Sequence, residues 1–355
     1  MHARRATTIM AALRAAGLLA AAAPLCAAGT DAAPATIVVS ARLRQGDPLL
    51  AWIVTEAQVA ASPIGDAATA DSSGRGLEAR LVDAAGRTVE SSLCFDASEL
   101  LDRGGGPLAP APETPPAVRV KRTLLGALMP IPVALPPGDY ELVAAGASAS
   151  VAVGPRSFPL ETIRLDEANS KLRTEPSERK TEEARRLFAL LRRTDAAAVF
   201  AGPAGFLFPV EGGWRSAGFG DRRRYVYVDG SSERSLHEGL DWAVVEGTAV
   251  RACARGKVVL TAWREVTGGT VVVEHLPGLY SLYFHLSSIE VEDGAIVERG
   301  SVIARSGASG MATGPHLHWE LRAGGEAVDP EYLLGVPLLD KEAVTAIMDG
   351  LIEGR

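Results

Sequence analysis

Gly314-Pro315-His316-Leu317-His318-Trp319-Glu320 sets two histidines two residues apart in an apolar run that reads as a β-strand. Side chains alternate across a strand, so both imidazoles project from one face of a sheet. Two histidines side by side on an apolar strand are rarely structural, because each buried imidazole needs polar partners. Such a pair divides labour: one ring binds a metal while its neighbour reaches a metal-bound water or a reacting carbonyl.

A second stretch, His237-Glu238-Gly239-Leu240-Asp241, sets a histidine and a carboxylate four residues apart. Both are good zinc donors at about 2.0–2.2 Å, so their donor atoms must converge within roughly 3.5 Å. An extended strand would hold the two residues about 13 Å apart. A helix would close that gap, but Gly239 and the strand-like surroundings disfavour one. A bend at Gly239 is the remaining solution, and its missing side chain lets the backbone approach the metal. Taken alone, the pattern fits a surface loop equally well.

Of six histidines, five fall within the 82 residues from His237 to His318. His285, in Tyr283-Phe284-His285-Leu286-Ser287, reads by itself as an ordinary strand-end histidine. His275 ends a strand at a turn and reads as structural.

The chain from about Phe208 to Pro330 resembles the lysostaphin or LytM-type zinc metalloendopeptidases of bacterial cell walls. The resemblance rests on Phe219-Gly220 with Arg222 and Arg223, His237-Glu238-Gly239-Leu240-Asp241, Gly247-Thr248-Ala249-Val250, Gly256-Lys257-Val258, Tyr283-Phe284-His285-Leu286, Gly307-Ala308-Ser309-Gly310 and Gly314-Pro315-His316-Leu317-His318. It implies a folded antiparallel β-sheet peptidase domain with a groove above one Zn²⁺. It also implies His237, Asp241 and His318 as zinc ligands, with His285 and His316 acting in catalysis. The implied substrate is a peptide of peptidoglycan, with cell-wall or division proteins as further partners. The rival reading is a catalytically inactive regulator that keeps the fold and activates another wall hydrolase; such members usually lack one or more of these five residues. A carbohydrate-binding module would leave the five residues unexplained.

The 355 residues fit two domains, and 47% hydrophobic with 22% charged residues is a globular composition. A net charge of -7 argues against nucleic acid as the main partner. His2, Arg4 and Arg5, an apolar run from Ile9 to Leu25 and small residues through Ala28 follow the order of a secretory signal peptide. The run is interrupted by Arg14 and falls short of the roughly 20 residues a spanning helix needs. Cleavage near Ala28 or Ala33, no stable membrane span afterwards and residence in the periplasm or cell envelope are expected. Pro24 and Leu25 disfavour lipid attachment at Cys26, and Cys94 and Cys253 are expected as buried free thiols.

The expected fold is mainly β. Residues 1–28 are the leader, and 36–154 form a β-sandwich that resembles immunoglobulin-like domains, with Pro136-Pro137-Gly138-Asp139-Tyr140 at a corner. Residues 155–205 supply a strand and a helical linker, 206–335 the zinc metallopeptidase domain, and 338–355 a C-terminal helix. Gly104 to Pro116 reads as a surface loop. Arg222-Arg223-Arg224, with Tyr225 and Tyr227, is expected as a solvated loop, with lining of the groove as the alternative reading.

Overall fold

The computed structural model describes residues 18–21, 35–40, 42–59, 76–102, 119–339, 341 and 344–345. Of the expected leader only Leu18–Ala21 is described, as a strand, and Cys26 lies outside the described residues. So do the stretch 104–116 and most of the segment expected as a C-terminal helix. Among the described residues no helix is long and apolar enough to cross a membrane.

Ten strands make up the N-terminal half: β1 (Leu18–Ala21), β2 (Ala35–Ser40), β3 (Arg42–Arg44), β4 (Pro48–Val59), β5 (Glu78–Val82), β6 (Thr88–Leu93), β7 (Phe95–Asp96), β8 (Arg119–Pro130), β9 (Gly138–Ala144) and β10 (Ala147–Gly154). A short helix, α1 (Ser98–Asp102), follows β7. The strands form two five-stranded sheets, ordered β1-β2-β4-β8-β7 and β3-β10-β9-β5-β6. Ile37, Leu49 and Ile53 of the first sheet share a buried core with Leu81, Leu142 and Val151 of the second. Tyr140 closes the corner before β9 by donating its hydroxyl to Pro136 O at 2.7 Å.

Strands β2, β4 and β8 are apolar on both faces because both faces are covered. Val38, Trp52, Val54, Leu124 and Leu128 point away from the sandwich core into a second cluster shared with Phe206, Phe219, Leu333 and Leu338 of the C-terminal half. Polar contacts fix the same junction. Trp52 Nε1 donates to Leu338 O at 2.9 Å, Asp329 N donates to Gly46 O at 2.7 Å, and the Arg156 guanidinium lies 2.5 Å from Asp329 and 3.1 Å from Asp47.

Between the halves run β11 (Leu160–Arg164), α2 (Glu167–Thr174) and α3 (Glu178–Leu191). Ser177 caps α3 by accepting from Lys180 N, and Leu187 and Leu191 form the helix's buried stripe. This segment does more than connect. β11 pairs in parallel with β13 (Arg222–Val226), which pairs with β14 (Ser232–Leu236) in a three-stranded sheet. The basic stretch expected as a solvated loop is therefore a strand. Its period of two leaves Arg222 and Arg224 exposed and turns Arg223 and Tyr225 inward.

The remaining strands belong to one ten-stranded sheet: β12 (Trp214–Ala217), β15 (Leu240–Ala243), β16 (Ala249–Arg251), β17 (Gly256–Arg264), β18 (Gly268–Leu276), β19 (Leu279–Ile289), β20 (Ile296–Val297), β21 (Val302–Ser306), β22 (Leu317–Ala323) and β23 (Glu326–Val328). Every residue of β18 and β22 is buried, although β22 alternates Leu317, Trp319, Leu321 and Ala323 with His318, Glu320 and Arg322, whose polar groups find partners inside. Val271, Val273 and Tyr283 face the main core. Val272, Leu282 and Phe284 face Leu187 and Leu191 of α3.

His275 ends β18 fully buried, with Nδ1 donating to Arg255 O at 3.0 Å and Nε2 2.7 Å from Ser281 Oγ. Burial pushes its pKa down to about 4, and the bond to Arg255 offsets only part of that. Below pH ~6.5 the unfolded chain takes up a proton that the folded chain refuses. This contribution to stability is therefore complete above that pH and is lost as pH falls toward 4, by about 3 kcal/mol. Chemical denaturation between pH 7 and 4.5 should show a shallower loss of stability for His275→Gln than for the wild type; identical slopes would contradict this account.

Candidate active site

β15 and β22 run antiparallel, with Asp241 directly opposite His318, and β19 on the other side of β22 sets Phe284 opposite His318. Directly opposed side chains stand about 4.5–5.5 Å apart at Cβ, so the pairing register alone brings the carboxylate to the imidazole. His237 reaches the same point from the turn after β14, where its amide donates to Asp221 O at 2.9 Å and its carbonyl accepts from Gly220 N at 2.7 Å.

Three donor atoms converge there. His237 Nε2 lies 3.0 Å from His318 Nδ1 and 3.1 Å from Asp241 Oδ1, and the latter two lie 2.7 Å apart. Gly239 makes the approach feasible. A Cβ at this position would fall 2.4 Å from Trp319 O and 3.0 Å from His318 Nε2, so the glycine serves close packing against β22.

Each donor is backed from behind. His237 Nδ1 faces Gly218 O at 2.7 Å, which puts its proton there and leaves a lone pair on Nε2. His318 Nε2 faces Glu320 Oε1 at 2.8 Å, which keeps a proton on Nε2 and makes Nδ1 the nitrogen that would bind a metal. Arg223 donates to Asp241 Oδ2, so Oδ1 faces the centre. Arg322 supports Glu320 at 2.6 Å and Glu238 at 2.7 Å. This is the backing that metal-binding imidazoles usually carry.

The charges follow from those contacts. Burial alone would raise Asp241, but the hydrogen bonds from His237 and His318 hold its carboxyl well below the usual range. Burial would likewise raise Glu320, yet Arg322 and His318 draw it down to about 2. For His318, burial lowers and the bonds and charges of Asp241 and Glu320 raise; the carboxylates win, at about 9.

The three donor atoms lie within 3.1 Å of one another, and the proton that His318 shares with Asp241, or a cation in its place, offsets their repulsion. A tetrahedral zinc ion with bonds near 2.0–2.1 Å spaces its ligands by about 3.4 Å, close to what is seen here. The donor set therefore fits zinc, which would displace that proton: two imidazole nitrogens and one carboxylate oxygen, all buried and facing one point.

His285 and His316 flank the triad. Their rings lie 4.7 Å apart, and His316 Nε2 is 3.8 Å from Asp241 Oδ1. His285 Nδ1 donates to Ser309 O and His316 Nδ1 to Gly314 O, each at 2.8 Å, so Nε2 is the nitrogen that each ring has free of these backbone bonds. His285 has φ +58°, a left-handed backbone unusual outside glycine, held by its amide bond to Thr267 O at 2.9 Å. Burial, with His316 and His318 adding to it, pushes its pKa down to about 3.

All five site residues named from sequence thus gather around one cleft of about 910 Å³. His275 stands apart in the core. Arg223 and Tyr225, from the basic stretch, line the cleft. Sequence reading missed Glu320, Arg322 and the bond from Arg223 to Asp241. The first two were legible, since they continue the same strand face from His318 at steps of two. The bond was not, because it depends on a strand pairing that no local pattern announces.

Residues 235–330 match the family described as peptidase family M23. The chain carries a peptidase family M23 domain. Relatives of the M23 domain include the DD-carboxypeptidase/endopeptidase Mpg of Neisseria meningitidis, 41% identical over 27% of this chain and 22% of that protein. The peptidoglycan DD-endopeptidase ShyA of Vibrio cholerae is 38% identical over 34% of this chain and 28% of its own length. The murein hydrolase activator EnvC of Escherichia coli is 42% identical over 28% of this chain and 23% of its own length. The chain therefore spans about a quarter of the relatives it matches. Ten of the residues lining the cleft precede the M23 match, among them Glu161, Thr162, Ile163, Asn169 and Arg173 from the segment between the halves.

Gly239→Ala should destabilise the protein by about 1–3 kcal/mol through the forced shift of β22, and should weaken zinc binding. Gly202→Ala, where an added Cβ meets nothing within 4 Å, is the control. Thermal unfolding and zinc titration check this, and equal behaviour of the two variants would contradict the packing role.

Proposed function

We propose that this chain is an exported metalloendopeptidase that binds one Zn²⁺ through His237, Asp241 and His318 and hydrolyses peptide cross-links of peptidoglycan. The observation that carries the reading is the pair of imidazoles of His285 and His316, each anchored through Nδ1 to a backbone carbonyl, beside three buried donors aimed at one point. Names of relatives with endopeptidase activity support the substrate class.

Bound zinc supplies a Lewis acid that polarises the peptide carbonyl and acidifies water. His316 Nε2, the more exposed of the two, accepts the proton of the attacking water and returns it to the leaving amine. His285, kept neutral at physiological pH, holds that water's other hydrogen and fixes its direction of attack. Once protonated, the His316 ring faces the negative charge developing on the carbonyl oxygen. Phe284, stacked on His318 at 5.3 Å, shields the metal side of the cleft from water.

The apolar run of residues 9–25 supports export to the periplasm or envelope. The Tyr140 to Pro136 bond supports an immunoglobulin-like identity for the N-terminal sandwich, which would be joined to the peptidase domain by the helical segment. The likeness to EnvC keeps a second reading in view, an inactive regulator of another wall hydrolase. The complete set of five residues favours the enzyme.

Metal content and release of muropeptides from purified sacculi test the proposal. His318→Ala should lose zinc and cleavage together. His316→Ala should keep zinc and lose about 10²–10⁴-fold in rate. Undiminished cleavage by His318→Ala would refute the ligand assignment, and a wild type that binds no zinc but stimulates a separate hydrolase would establish the regulator.

A further inference from the structure

The cleft has a wall that the M23 match does not cover, and one cation on that wall is held ready for a ligand. Two arginines line the cleft, Arg223 and Arg173. Arg223 is committed to Asp241 and, at 3.6 Å, to Glu161. Arg173, in α2, is stacked 4.1 Å from the ring centre of Tyr225, which also lines the cleft. Its Nε donates to Tyr227 OH at 3.1 Å and to Glu233 at 3.3 Å, and its Nη2 donates to Glu233 at 3.2 Å. Nη1 has no partner among the described residues.

The guanidinium is thus fixed on its inner edge and stacked on an aromatic face, an arrangement that loses little entropy on taking up a second acceptor. The acid that holds it, Glu233, is half exposed and does not line the cleft. A planar guanidinium with an open edge recognises a carboxylate above other groups.

Position follows from the strand. Tyr225 and Arg223 share one face of β13, about 6.6 Å apart along it, and Arg223 touches the ligand Asp241. A carboxylate on Arg173 would therefore lie in the same cleft as the three donors, toward the Tyr225 end of its wall. We propose that Arg173 forms a carboxylate-binding subsite that selects peptides carrying a free carboxylate near the scissile bond. This rests on the peptidase reading for the meaning of the scissile bond, but the binding itself does not.

The rival is a brace: Arg173 tying α2 to β13 and β14 with no role toward ligand. Calorimetry separates the two. A synthetic cross-linked stem peptide, with its carboxylates free or amidated, is titrated into zinc-loaded full-length protein in the His316→Ala background. The free acid should bind about ten-fold more tightly than the amide. Adding Arg173→Gln should abolish that preference while leaving the amide's affinity unchanged. Adding Glu233→Gln, which removes the competing acid and keeps the guanidinium, should preserve or widen it. Equal binding of acid and amide in the background, or parallel losses for both peptides in both variants, would overturn the subsite in favour of the brace. Acid preference in a protein that cleaves no peptide would uphold the subsite and overturn the peptidase reading.

Discussion

Everything at this site depends on three buried donor atoms held in contact. His237, Asp241 and His318 meet within 3.1 Å, a configuration that a shared proton or a bound cation makes favourable. The fold keeps them there by denying each group an alternative. Gly218 O and Glu320 fix the far nitrogens of the two rings, Arg223 fixes the far oxygen of the carboxylate, and Arg322 neutralises Glu320 in turn. Each support is itself buried or nearly so, so rotating any ligand away would strand a polar group without water.

The same logic extends outward. The register between β15 and β22 places Asp241 against His318, and Gly239 lets the two strands close upon each other. The alternation of β22, with Leu317, Trp319 and Leu321 in the core and His318, Glu320 and Arg322 on the other face, makes that register unambiguous, since a slip of one residue would send every side chain to the opposite face. On one side lies the core shared with the N-terminal sandwich, on the other the stripe of α3. The site is thus set on a sheet covered from both directions, which suits a geometry that must not relax.

Much of this was readable in the sequence, for physical reasons. The step of two in His316-Leu317-His318-Trp319-Glu320 is a strand period, and it carries Glu320 and Arg322 as plainly as it carries the histidines. The glycine in His237-Glu238-Gly239-Leu240-Asp241 marks a close approach, although its neighbour proved to be β22. The left-handed backbone of His285 could not be read, because local sequence does not demand it; the amide bond to Thr267 and the packing around it impose it. Nor could the strand at Arg222–Val226, whose partner β11 lies some 60 residues earlier and whose charges mimic a solvated loop. Long-range pairing also hid the dual coverage of β4, since the lining of its outer face comes from the other half of the chain.

The most direct test is spectroscopic. Zinc K-edge absorption and anomalous diffraction on the metal-loaded protein should show one ion bonded to His237 Nε2, His318 Nδ1 and an Asp241 oxygen at about 2.0–2.1 Å, with one position left open. A protein that takes up no zinc, or that binds it through any other set of side chains, would contradict the account at its centre.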